Sequence, residues 1–93
     1  MIVYNQANTE RVDYMLEHLG IRGFSKWEEV QGRGTEKGSP HLGSHTWPEM
    51  NSAMMTVIPD EKVDPLLEAV KKLDDINEEV GVRAFVWDIL KSV

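Results

Sequence analysis

Short apolar runs alternate along the chain with segments in which apolar residues recur every three or four positions. The first run, Met1 to Tyr4, predicts a strand. A helix follows, because Asn8 is a residue type that caps helices and apolar residues then recur at helical spacing at Val12, Met15, Leu16 and Leu19. Gly20 is placed to end this helix in the left-handed conformation.

The remaining apolar runs predict three more strands and a second helix. The strands are predicted over Gly23–Gln31, Asn51–Ile58 and Val82–Ile89. The helix begins after a cap that is either Asp60 or Asp64, and the second choice puts Pro65 at the favoured first helical position. Its buried stripe is predicted at Leu66, Leu67, Val70 and Leu73, continued by Ile76 or Val80, before Gly81 ends the helix.

Six elements in the order β-α-β-β-α-β indicate an α+β, ferredoxin-like fold. Right-handed crossovers place both helices on one face of a four-stranded antiparallel sheet. The length of 93 residues fits a single domain over residues 1–93.

The predicted strands are apolar on both faces. In the third strand, the apolar residues 53, 55 and 57 point to one face of the sheet and residues 54 and 58 to the other. In the fourth strand, residues 82, 84 and 86 point to one face and residues 85, 87 and 89 to the other. Two helices cover only one face of a sheet. An apolar patch of this size is rarely left exposed, so the second face predicts a partner subunit.

Residues 32–48 have a different composition from the rest of the chain. Glycine and proline fall among polar residues, with no hydrophobic period. A segment of this length is longer than most connections in a small domain, and such loops are usually functional or disordered. We therefore expect the 32–48 loop to carry function.

Charge and composition exclude several classes of function. A net charge of −6 argues against a nucleic-acid partner and against binding to anionic membranes. No apolar run approaches the length of a membrane span, which favours the cytoplasm. The chain has no cysteine, and Ser39, Ser44 and Ser52 lie in no recognisable activating motif, so we do not expect an enzyme.

Three stretches resemble the P-II nitrogen-regulatory proteins. Residues 20–24 (GIRGF) are similar to the turn that ends the first helix in that family. Residues 29–38 (EVQGRGTEKG) resemble its strand-to-loop sequence, and residues 57–63 (VIPDEKV) its junction between the third strand and second helix. One residue is inserted near Lys26 and Trp27, where we expect a bulge.

The resemblance implies a homotrimer whose sheets face inward, with ATP or ADP in clefts between subunits and the long loop contacting a target protein. The chain departs from the family in three places. Its loop after the second strand is shorter than the family's. Glu36 stands where the family has the glutamine that helps to bind 2-oxoglutarate with magnesium-ATP. Residues 74–79 (DDINEE) replace the family's glycine- and lysine-containing phosphate loop. We therefore expect ATP and ADP to bind weakly or not at all.

The 32–48 loop and the residue after it contain two candidate sites. Gly32, Gly34, Glu36 and Lys37 form a weak effector or phosphate site, the alternative being a strand end followed by a flexible loop. A divalent transition metal could be held by imidazole and carboxylate ligands at His41, His45 and Glu49, the alternative being solvated side chains.

Two functions follow from these observations. The first is a trimeric P-II-like regulatory protein that binds a small effector or metal and contacts a partner protein through the 32–48 loop. The second is a structural or interaction trimer without a ligand.

Overall fold

The computed structural model describes residues 1–30, 50–76 and 81–93. Its strands are β1 (Ile2–Asn5), β2 (Ser25–Val30), β3 (Asn51–Met55) and β4 (Val82–Ala84). Its helices are α1 (Thr9–His18) and α2 (Val63–Ile76), each preceded by a short 3-10 turn, at Gln6–Asn8 and Asp60–Lys62. The predicted order of strands and helices is confirmed.

The four strands form one antiparallel sheet in the order β2-β3-β1-β4. Both helices pack on the same face, since their buried residues share a single core cluster with residues of the sheet. The helices contribute Val12, Met15, Leu16, Leu66 and Val70, and the sheet contributes Ile2, Tyr4, Met54 and Val82. The α+β, ferredoxin-like fold expected from the sequence is confirmed.

A glycine ends α1, as its position predicts. Gly20 adopts a φ of +73°, its N–H donates to the Glu17 carbonyl, and the Ile21 N–H donates to the Leu16 carbonyl. These two bonds are a Schellman motif, and the apolar contact that usually accompanies it joins Leu16 and Ile21 in the core. Lys62 Nζ donates to the Gly20 carbonyl over 3.2 Å, which ties this turn to the start of the second helical segment.

Both helices begin differently from the prediction. Asn8 stands at the N-cap of α1 without making a side-chain cap bond; the Asn5 side chain instead accepts from the Ala7 N–H at the preceding 3-10 turn. The 3-10 turn before α2 has Pro59 at its N-cap position, so neither Asp60 nor Asp64 caps it. In α2 the third residue is a proline, a first-turn position where its missing N–H breaks no intrahelical bond.

The buried stripe of α2 is narrower than predicted. Leu66 and Val70 are buried and Leu73 packs partly against the core, whereas Leu67 and Ile76 are exposed. Val80 lies outside the described residues. The last turn of a helix at the edge of a small core meets little apolar surface, so helical spacing alone extends the stripe too far.

Three strands are shorter than the apolar runs that predict them. β2 starts at Ser25, β3 ends at Met55, and β4 ends at Ala84, although the apolar run continues to Ile89. The backbone of Phe85 still exchanges two hydrogen bonds with Met1, but no neighbouring strand of the described chain continues beside residues 86–90. The ladder register shifts between Trp27 and Val30, close to the predicted bulge.

We expect the Gly20→Ala variant to lose about 1–2 kcal/mol of unfolding free energy, because an L-residue is strained at positive φ. A Cβ at this position would also lie 3.0 Å from Lys62 Nζ. Gly23→Ala is the matched control, since a Cβ there meets nothing within 4 Å. Urea unfolding of both variants measures the difference. Equal stability of the two variants would contradict the role of Gly20.

Candidate functional site

The residues predicted to bind an effector or a metal lie outside the described part of the chain. These are Gly32, Gly34, Glu36 and Lys37 for the effector, and His41, His45 and Glu49 for the metal. The described residues on either side fix where this segment leaves the sheet. Val30 and Asn51 are paired across β2 and β3, so both ends of the segment leave from the same end of the sheet.

A polar network stabilises that end of the sheet. Where the ladder register shifts, the Glu28 carbonyl accepts hydrogen bonds from Gln6 Nε2 and, over 2.9 Å, from Ser52 Oγ. The Gln6 N–H donates to the Met50 carbonyl over 2.9 Å. The network joins the end of β1, the irregular part of β2 and the start of β3, which gives the 31–49 segment a fixed point of attachment.

Asn5 lies beside this network with an unused donor. Its Oδ1 accepts from the Ala7 N–H over 2.8 Å, but its Nδ2 is buried and has no hydrogen-bond partner within residues 1–30, 50–76 and 81–93. A buried donor without an acceptor is destabilising. A ligand or a partner chain that presented a carbonyl or carboxylate oxygen here would satisfy it.

The face of the sheet opposite the helices is apolar, and no described helix covers it. Residues paired across the strands share a face, and one such row consists of Trp27, Ala53, Val3 and Arg83. The adjacent row includes Met55 and Phe85. The side chains of Trp27, Met55 and Phe85 are 49%, 39% and 57% exposed, respectively. We call this surface the open face.

Next to the open face lies a groove with a volume of about 620 Å³. It runs between the end of β3, the start of α2 and residues 85–90. Most of its lining residues are apolar, and Asp60 and Asp88 contribute carboxylates. None of the described lining residues is lysine or arginine, so this groove lacks the side-chain cations that hold a phosphate.

The Nitrogen regulatory protein P-II family model matches residues 1–93. The chain belongs to the P-II family. No curated protein and no solved structure matched it. The resemblance read from residues 20–24, 29–38 and 57–63 is therefore confirmed by a match that spans the whole sequence.

As a P-II protein, the chain is a regulatory signalling protein of that type. Proteins of this family are regulatory and not enzymes, and they are typically trimers that interact with partner proteins. In the described residues, no helix is long and apolar enough to cross a membrane. No group of three His, Asp or Glu side chains in those residues could hold a metal ion.

Asp74 marks the start of the acidic segment that replaces the family's phosphate loop, and it has a structural role. Its Oδ1 accepts from the Val82 N–H over 3.0 Å, and its Oδ2 accepts from Arg83. The carboxylate thus ties the end of α2 to β4, and it neutralises a nearby arginine.

These contacts change the acidity of Asp74. Burial alone would raise the pKa of its carboxyl, but the hydrogen bonds from Arg83 and Val82, with the charge of Arg83, outweigh burial and lower the pKa below its ordinary value. Sequence reasoning missed this role because the partners lie eight and nine residues away, beyond the helical spacing at which charge pairs are recognised.

Because the pKa of Asp74 is lowered in the folded state, its ionised form stabilises the fold. That contribution is complete above the unfolded pKa of about 3.9 and is lost as pH falls through the lower folded pKa. We expect Asp74→Asn to lower the unfolding free energy at pH 7 by about 1 kcal/mol, with the difference from wild type narrowing as pH falls below the unfolded value of about 3.9.

Denaturant unfolding at pH 7 and at successively lower pH values below about 3.9 measures this effect. Asp75→Asn is the control, since Asp75 is an exposed carboxylate one residue further along α2. A loss of stability in Asp74→Asn that does not diminish as pH falls would contradict the assignment.

Proposed function

We propose that the chain acts as a homotrimeric P-II regulatory protein whose subunits meet through the open face. In this proposal the 32–48 loop binds a small effector or a divalent metal and contacts a target protein. The observation that carries the proposal is the open face itself. Trp27, Met55 and Phe85 expose large apolar surfaces on the side of the sheet away from both helices.

The energetics of burial favour this assembly. Fully burying a side chain of the size of methionine or phenylalanine contributes about 1.5–3 kcal/mol. Because Trp27, Met55 and Phe85 are between 39% and 57% exposed in the single subunit, each would contribute only part of that amount. Three copies of the open face supply several such side chains against the entropic cost of association. Arg83 lies in the same rows, but its charge is already paired with Asp74, so its burial costs less than that of a free guanidinium.

The second candidate function is an interaction trimer without a ligand. The acidic segment at residues 74–79 (DDINEE), which replaces the family's glycine- and lysine-containing phosphate loop, favours it over nucleotide sensing. Both candidate functions involve a homotrimer. They differ in whether the 32–48 loop binds a ligand. Ligand binding therefore separates the two candidates.

We expect Met55→Glu to dissociate the trimer into folded monomers, because Met55 lies on the open face and outside the core cluster. A charge buried between subunits without a partner is strongly unfavourable. Tyr14→Glu is the matched control, since Tyr14 is 71% exposed on α1, away from the sheet. Light scattering and circular dichroism report mass and fold. A trimeric Met55→Glu variant would contradict the proposed interface, and an unfolded one would show that Met55 supports the subunit fold.

A thermal-shift screen tests ligand binding with magnesium-ATP, ADP, 2-oxoglutarate and divalent transition metals. A ligand present at 100 times its dissociation constant stabilises the native state by about 2.7 kcal/mol, which raises the melting temperature by several degrees. We expect a metal shift that weakens as pH falls through about 6.5, since protonated imidazole cannot coordinate. We expect little or no shift with ATP.

The double variant His41→Ala/His45→Ala should lose the metal shift and keep the melting temperature of the metal-free protein. His18→Ala is the control, because it removes the remaining histidine of the chain. Equal metal shifts in wild type and the double variant would refute the metal site. A large ATP shift would refute the expectation of weak nucleotide binding, and no shift with any ligand would favour the ligand-free trimer.

A further inference from the structure

The groove next to the open face has no role in the proposed function, although it has the size of a ligand site. One of its walls comes from the start of α2 and includes Val63 and Leu66. The other wall is formed by residues 85–90. Its volume of about 620 Å³ lies within the range of about 300–1,000 Å³ that is typical of small-molecule sites.

Part of this groove lies on the helix side of the sheet, away from the open face. Ala84 pairs with Ile2 and packs partly against the core, so its side chain points toward the helices. Residues 85–90 contain no turn or bend. Strand alternation therefore directs every second residue after Ala84 to the same side. These residues are Val86, Asp88 and Leu90. A trimer that buries the open face leaves this part of the groove accessible.

Apolar side chains on this side of the groove are in contact with water. Val86 is 52% exposed and Leu90 is 92% exposed. Val63 and Ile58, on the opposite wall, are half-buried. The apolar body of a ligand would remove part of this surface from water, which favours binding in proportion to the area covered.

Each wall also carries a carboxylate. Asp60 belongs to the 3-10 turn before α2, and Asp88 belongs to residues 85–90. Both residues are exposed, and neither carboxylate forms an ion pair or a hydrogen bond within residues 1–30, 50–76 and 81–93. Because none of the described lining residues is lysine or arginine, the groove combines apolar surface with two negative charges that no cation in its described lining offsets.

We propose that this groove binds a small organic cation, whose apolar body packs against Val63 and Val86 and whose ammonium group lies near Asp60 and Asp88. The two carboxylates attract an ammonium group and repel a phosphate or a carboxylate. The site lies at the opposite end of the sheet from the 31–49 segment, because β3 begins beside that segment and ends at the groove. It is therefore a second ligand site, and it does not depend on whether the 32–48 loop binds an effector.

Four probes in isothermal titration calorimetry separate the effects of charge and apolar surface. Octylammonium has both features, 1-octanol lacks the charge, octanoate reverses it, and methylammonium lacks the apolar chain. We expect saturable binding of octylammonium, about fivefold weaker binding of octanol, still weaker binding of octanoate and no measurable binding of methylammonium. Salt screens exposed charges, so raising it should reduce the difference between octylammonium and octanol.

Variants of the two carboxylates test where the charge acts. Asp60→Asn and Asp88→Asn should each weaken octylammonium binding by about two- to fivefold and leave octanol binding unchanged. Asp64→Asn is the matched control, because Asp64 is exposed in the first turn of α2 but does not line the groove. It removes the same charge from the chain and should leave both affinities unchanged.

The possible results separate this site from its alternatives. A lack of saturable octylammonium binding to the wild-type protein would overturn the site. Equal affinities for octylammonium and octanol would overturn the role of the carboxylates. Equal losses in Asp60→Asn, Asp88→Asn and Asp64→Asn would show that net charge, and not the groove, attracts the probe. The His41→Ala/His45→Ala variant should bind octylammonium as the wild type does, so failure of the loop site and failure of this site are distinguishable.

Discussion

A sheet that is apolar on both faces but has both of the described helices on the same one is the constraint on which this structure depends. Met54, Ile2 and Val82 are buried beneath α1 and α2, and they form the core of the single subunit. The same strands place Trp27, Met55 and Phe85 on the other side. The hydrophobic effect does not distinguish the two faces, so the subunit that satisfies one face leaves the other available for association.

The two ends of the sheet have different roles in this account. At one end, Gln6, Ser52 and the Glu28 carbonyl form a polar network where the 31–49 segment is attached. At the other end, the groove and residues 85–90 are apolar with carboxylates at Asp60 and Asp88. A P-II protein with this division would have its regulatory loop at the polar end and its subunit contacts on the apolar surfaces.

Local signals in the sequence predicted the fold well. The periodicity of α1 and the glycine that ends it are properties of neighbouring residues, and the structure confirms both. The apolar residues predicted on both faces of the strands are also present in the structure, where one set is buried in the core and the other is exposed on the open face. The placement of both helices on one face of the sheet followed from the sequence of elements and the right-handedness of crossovers.

Interactions between distant residues could not be predicted in this way. The sequence of the acidic segment does not indicate that Asp74 bonds to β4. Nor does the sequence around Asn5 indicate that the Asn5 side chain, and not the Asn8 side chain, caps the first helical turn. The length of β4 also could not be predicted from its own residues. Its apolar run continues to Ile89, but β1, the strand that it pairs with, does not continue beside it. The effector and metal residues of the 31–49 segment remain predictions, since they lie outside the described residues.

Sedimentation equilibrium of the unmodified chain at micromolar concentration tests the central claim most directly. The claim is that the open face is buried against further copies of the same chain. It predicts a mass of about three times the 10.6 kDa of one chain. A species of 10.6 kDa that persists as the concentration rises would contradict it, because the exposed Trp27, Met55 and Phe85 would then be stable in water.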